Sequence, residues 1–164
     1  MQHVGVTYEE LRQMTGFAKS AIARGLSLLE MHGAISSAKE GRASTYTLIG
    51  LDTPGHWCQL PPASLLKGHE LGLKNLPRNR VTLNAMKIYL AFLVLRNNKL
   101  NTASMGYEAI STWTGVRRED IPTALGVLAS LNLVRVSLDR DFRHSKEGDN
   151  DQSNRYRIVG LGWT

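Results

Sequence analysis

The feature that most constrains this chain is internal: its beginning recurs near its end. Tyr8-Glu9-Glu10-Leu11 returns 99 residues on as Tyr107-Glu108-Ala109-Ile110. The same displacement carries Thr15-Gly16 onto Thr114-Gly115, Ile22 onto Ile121, Leu26 onto Leu125, Leu29 onto Leu128 and Ala34-Ile35 onto Leu133-Val134. After a gap, Thr45-Tyr46-Thr47-Leu48-Ile49-Gly50-Leu51 matches Arg155-Tyr156-Arg157-Ile158-Val159-Gly160-Leu161, now 110 residues on, so the second copy holds 11 extra residues before its last element. An ordered series with one insertion is the mark of a repeated structural unit. Each copy is therefore a small module, and the 164 residues have room for two.

The residues of one copy predict its elements. Thr7 opens a helix, with Glu10 three residues on as the partner of a capping box. Leu11 and Met14 face inward, and Gly16 supplies the left-handed C-cap. A second helix is expected over residues 18–32, with Ile22, Leu26 and Leu29 on one face and Gly33 at its end. Phe17 is expected in the core beneath the turn. Ala34-Ile35-Ser36-Ser37-Ala38, a polar tip at Lys39-Glu40-Gly41-Arg42, and the alternating Thr45-Tyr46-Thr47-Leu48-Ile49 then read as a hairpin with a glycine turn. Helix, tight turn, helix and hairpin is the order of a helix-turn-helix with a wing. In the second copy an apolar helix over residues 84–96 (Ala85, Ile88, Tyr89, Phe92, Leu93, Leu95) precedes these elements. It is expected to cover Leu125 and Leu128. The first copy has no such helix, so it begins truncated or borrows one.

On these residues the chain resembles the winged helix-turn-helix superfamily. Met14-Thr15-Gly16-Phe17-Ala18-Lys19-Ser20-Ala21-Ile22-Ala23-Arg24-Gly25-Leu26-Ser27-Leu28-Leu29 looks like the turn and recognition helix of bacterial regulators. Leu60-Pro61-Pro62 through Leu76, the helix from Asn84, and Thr114-Gly115 are similar to plasmid and phage replication proteins. The resemblance implies a mainly α fold with small β-hairpins (α+β) and two tandem winged-helix modules. The first, residues 1–51, lacks its leading helix; a basic, proline-containing connector, 52–80, leads to the second, 81–164, with its long wing. It implies a sequence-specific binder of double-stranded DNA, of the replication-initiation or partition type. A transcriptional repressor and a protein-interaction module are the alternatives, since one fold serves many roles. The partners implied are duplex DNA, a second copy in a homodimer, and replication or transcription proteins.

In that setting the second helix of the first copy is the reading element. Its exposed positions are expected to be Lys19, Ser20, Ala23, Arg24 and Ser27: cations for guanine edges or phosphates, small residues for close approach. Lys39 and Arg42 at the wing tip are candidates for phosphate. In the second copy Arg117, Arg118 and Thr123 take the corresponding role. There Glu119 and Asp120 repel phosphate, while Pro122 delays the start of a regular helix. The long wing of that copy is net acidic, with Asp139, Asp141, Glu147, Asp149 and Asp151 against Arg140, Arg143 and Lys146.

The bulk properties agree with a polyanion partner. The formal charge is +6, and most of the excess lies between the copies: residues 51–105 hold seven basic and two acidic side chains. The first five residues lack a signal-peptide start, the apolar run at 88–95 is too short for a bilayer, and a single cysteine, Cys58, suits the cytoplasm. No phosphate loop is present, and the histidines share no metal-ligand spacing. The expectation is a protein without catalytic residues, metal or cofactor.

Overall fold

The computed structural model describes residues 3–40, 43–50, 60–61, 66–67, 70–71, 74, 76–137 and 154–161. Arg42 and most of the long wing lie outside them. The chain divides into two units. Unit 1 comprises Met1–Trp57 with Leu65–Asn75, and unit 2 Cys58–Ser64 with Leu76–Thr164, so the expected connector is shared between them.

Unit 1 runs β1 (His3–Val6), α1 (Tyr8–Thr15), α2 (Lys19–Met31), β2 (Ile35–Glu40) and β3 (Ala43–Leu48), followed by a short hairpin of β4 (Leu66–Lys67) and β5 (Glu70–Leu71). Helix α1 starts where its cap can form. The Thr7 hydroxyl accepts from the Glu10 N–H at 3.2 Å, and the Glu10 carboxylate accepts from the Thr7 N–H at 2.7 Å. That backbone donor also holds the Glu10 carboxyl below its ordinary value. The helix ends at Gly16, whose φ of 68° is a left-handed conformation that costs glycine little. Gly33 takes the same conformation after α2.

Unit 2 runs α3 (Arg80–Leu95), β6 (Thr102–Met105), α4 (Tyr107–Thr114), a 3-10 turn (Arg118–Asp120), α5 (Ile121–Ser130), β7 (Val134–Ser137) and β8 (Asn154–Ile158). Asn79 caps α3 by accepting from the Thr82 N–H at 2.9 Å. Gly115 closes α4 with φ 66°, as Gly16 closes α1.

The two sheets have one topology. Strand order is β1-β3-β2 in unit 1 and β6-β8-β7 in unit 2, antiparallel throughout. Registers agree as well: Ile35 pairs with Leu48, and Val134 with Ile158, at the positions the sequence repeat equates. The repeat is thus a repeat of α+β structure, with five α-helices among the described residues. The third strand of each sheet, β1 or β6, lies just before the first helix of its copy. It is an element that the sequence pattern does not announce.

The cores differ. In unit 2, α3 buries Ala85, Ile88, Tyr89, Phe92 and Leu93, and α5 buries Ile121, Ala124, Leu125 and Leu128. The Phe92 ring stacks on Tyr156 of β8 at 4.3 Å between centroids. Large side chains buried this way contribute about 1.5–3 kcal/mol each. Leu95, expected among them, is only half-buried because it sits in the last turn of α3. In unit 1 only Ile22 and Ile35 are buried among the described residues. Leu11, Met14, Leu26 and Tyr46 are half-buried, and Leu29 is 47% exposed. Phe17 corrects the expectation of a core residue: it is 45% exposed, whereas its equivalent Val116 is 2% exposed. The turns match, but among the described residues no helix of unit 1 is the counterpart of α3, which encloses the equivalent position in unit 2. What approaches α1 is β5, a piece of the connector.

Candidate nucleic-acid interface

Each unit contains a turn built from the same atoms. Thr15 donates its hydroxyl to the Leu11 carbonyl at 2.6 Å and accepts from the Phe17 N–H at 3.2 Å. Thr114 donates to the Ile110 carbonyl at 2.6 Å and accepts from the Val116 N–H at 3.2 Å. With the adjoining left-handed glycines, these bonds turn the chain between the first and second helix of each copy. The signal Thr-Gly was therefore a signal for geometry.

An ion pair is repeated too. Lys19 lies 3.6 Å from Glu9, and Arg118, at the equivalent position, lies 3.0 Å from Glu108. Glu9 is shared with Arg12 at 2.8 Å, and that hydrogen bond is the main reason its carboxyl sits below the ordinary value. Glu9 is half-buried and the other four side chains are exposed, so such pairs contribute little to stability.

Beyond that pair the units diverge. Helix α2 begins directly at Lys19 with no side-chain cap and no acid in its first turn. No carboxylate occurs in residues 18–29. Lys19, Ser20, Ala23, Arg24 and Ser27 are all exposed, as the sequence predicts. An uncapped helix start with flanking cations attracts anions through its free N–H groups. Lys39 on β2 is exposed also, while Arg42 falls outside the described residues.

In unit 2 the residues equivalent to Ser20 and Ala21 are Glu119 and Asp120. They lie in the 3-10 turn, and the α-helix starts only at Ile121, with Pro122 in its first turn. Pro122 lacks a donor and suits that place. Arg117 is 3.5 Å from Glu119. One guanidinium nitrogen of Arg80, at the start of α3, donates to both carboxylate oxygens of Asp120, at 2.8 and 3.1 Å. Arg117, Arg118 and Thr123 are exposed, but both arginines stand beside carboxylates.

The structure also brings together three arginines that no motif marks: Arg135 on β7 and Arg155 and Arg157 on β8. Their only sequence signal is alternation with Val134, Tyr156 and Ile158, which are buried. Among the described residues, no cluster of His, Cys, Asp or Glu could hold a metal ion, and no helix is long and apolar enough to cross a membrane. No protein-family model, curated protein or solved structure matches this chain.

Proposed function

We propose that the chain is a duplex-DNA-binding protein whose reading element is the N-terminal half of α2. The observation that carries this reading is the exposed row Lys19, Ser20, Ala23, Arg24 and Ser27 at an uncapped helix start, with no carboxylate between residues 18 and 29. Such a surface offers bonds to guanine edges and phosphates and lets the backbone come close. The helix-turn-helix order and the resemblance to winged-helix proteins support the same reading, and the likeness to plasmid and phage replication proteins favours replication initiation or partition over repression. The role is one of binding and not of catalysis. Selection from a random duplex pool, followed by anisotropy titration at several salt concentrations, tests it. The expected result is an enriched site whose affinity falls steeply with salt through counterion release. Absence of enrichment, or salt-insensitive binding, overturns it.

A second reading concerns assembly. Leu28, Leu29 and Met31 expose apolar surface on α2, and Leu83, Leu90 and Val94 do so along α3. Exposed apolar clusters mark contact surfaces. A homodimer closed through the α2 face would present two reading helices to a two-fold site. Sedimentation at micromolar concentration is expected to give a dimer that Leu29→Glu converts to a monomer. A monomeric parent protein rules this assembly out.

A further inference from the structure

The repeat lets the second helix of each copy be compared for what covers it. In unit 2 that helix is α5, which packs against α3 and buries Ala124, Leu125 and Leu128. The same positions 99 residues earlier hold Gly25, Leu26 and Leu29. Ala124 and Leu128 are fully buried, whereas Gly25 is exposed and Leu29 is 47% exposed. Leu28 is 48% exposed, and its equivalent Val127 is half-buried. At Gly25 no atom lies within 4 Å of where a Cβ would stand. Leu28 and Leu29 are its neighbours one helical turn on. The three residues therefore form a hollow bounded by leucines, at the place where unit 2 holds a helix.

An outward ridge stands on α3. Leu83, Leu90 and Val94 are 57%, 56% and 64% exposed there. Their spacing of seven and four residues sets them in one stripe, over three turns and about 16 Å. It runs opposite the face that buries Ala85, Ile88 and Phe92, so the packing of unit 2 leaves it outward.

Neither surface suits a copy of itself. Two hollows set face to face enclose empty volume, which weakens an apolar contact. Two stripes paired about a two-fold axis bring Lys87, exposed near the middle of the stripe, close to its own copy. A ridge on a hollow avoids both faults, since side chains of one helix fill the groove of the other.

We propose that the α3 stripe of one copy of this chain docks on the Gly25 hollow of a second copy. This inference rests on the assembly reading above and names the surface that meets α2. The contact supplies unit 1 with the kind of apolar helix that α5 meets within unit 2. Lys19, Ser20, Ala23 and Ser27 lie on the other side of α2 and stay outside the contact.

Sedimentation equilibrium of the full chain without DNA, from about 1 to 100 µM, tests this. The parent chain is expected to associate, and Leu90→Glu and Gly25→Leu each to weaken association by about tenfold or more. Leu90 is exposed, and leucine is a better helix former than glycine, so the melting temperature should not fall in either variant. Leu29→Glu and Leu90→Glu are then mixed. The first keeps its stripe and the second its hollow, so the mixture is expected to form pairs that neither variant forms alone. Contact of α2 with α2 would instead leave Leu90→Glu associating as the parent does, and Gly25→Leu would strengthen association by filling the facing hollows. Contact of α3 with α3 would leave Leu29→Glu and Gly25→Leu associating as the parent does. Any of these results overturns the proposal and leaves assembly itself standing. Absence of mixed pairs at about ten times the concentration that associates the parent overturns it as well. A monomeric parent chain overturns this proposal and the assembly reading together.

Discussion

Units 1 and 2 share an order of elements, a strand topology, a register and a turn, yet they distribute apolar and charged side chains in different ways. Unit 2 encloses α5 beneath α3, and its second-helix start carries Glu119 and Asp120. Unit 1 leaves α2 with one buried residue, Ile22, and an acid-free start. One order of elements thus carries two side-chain patterns, a buried helix pair in unit 2 and an exposed, acid-free helix start in unit 1. The arginines of the unit 2 sheet reverse the charge comparison, because there unit 1 is the neutral copy. Similar folds therefore place their cations on different elements.

The strongest way to break this comparison is to delete equivalent leucines. Leu128→Ala should cost about 2–5 kcal/mol, since the side chain is fully buried and a cavity remains. Leu29→Ala, 99 residues earlier and 47% exposed, should cost only about 0.5 kcal/mol. Urea unfolding of both variants checks this, and equal losses would mean that α2 is covered in solution as α5 is. Next come the residues of the proposed reading helix. Lys19→Ala and Arg24→Ala should each weaken binding to a selected site by about 1–3 kcal/mol. Arg118→Ala should weaken it less, because Glu119 and Asp120 follow it directly, whereas the first turn of α2 holds no acid. A larger loss from Arg118 would transfer the reading role to unit 2.

The smallest effect is at the start of α1. Thr7→Ala removes a capping box and should cost about 1 kcal/mol, whereas α4 begins at Gly106 with no side-chain cap to lose. Because Glu9 and Glu10 both have folded-state values below the ordinary 4.5, they favour the folded state fully above that pH. The contribution is lost as pH falls through the lowered values. Glu10→Gln should flatten the acid limb of a thermal-melt series between about pH 5 and pH 2, and an unchanged limb would assign it to other carboxyls.

Much of this architecture is legible in the sequence, because local chemistry specifies it. Thr7 and Glu10 cap, Gly16 and Gly115 terminate, and the spacing of Ile88 and Phe92 fixes a buried helix face. Exposure of Lys19 and Arg24 follows from the same periodicity. What escaped depends on pairing between distant segments. β1 and β6 are only four residues each, too short for their alternation to declare a strand, and are fixed by pairing with β3 and β8. The connector hairpin is two residues per strand. Arg135 and Arg157 become neighbours through a register that no local pattern encodes. Phe17 escaped for a different reason: its size suggests burial, but burial needs a covering layer, and no described helix of unit 1 supplies one.

The small number of buried side chains among the described residues of unit 1 also has a consequence in time. Ile22 and Ile35 alone anchor α2 to its sheet among the described side chains, so local opening of this helix should need far less free energy than opening α3. Its amide protons should then exchange with solvent deuterium well before those of α3 and α5. A ligand seated on the start of α2 should slow that exchange selectively, leaving α3 and α5 unchanged.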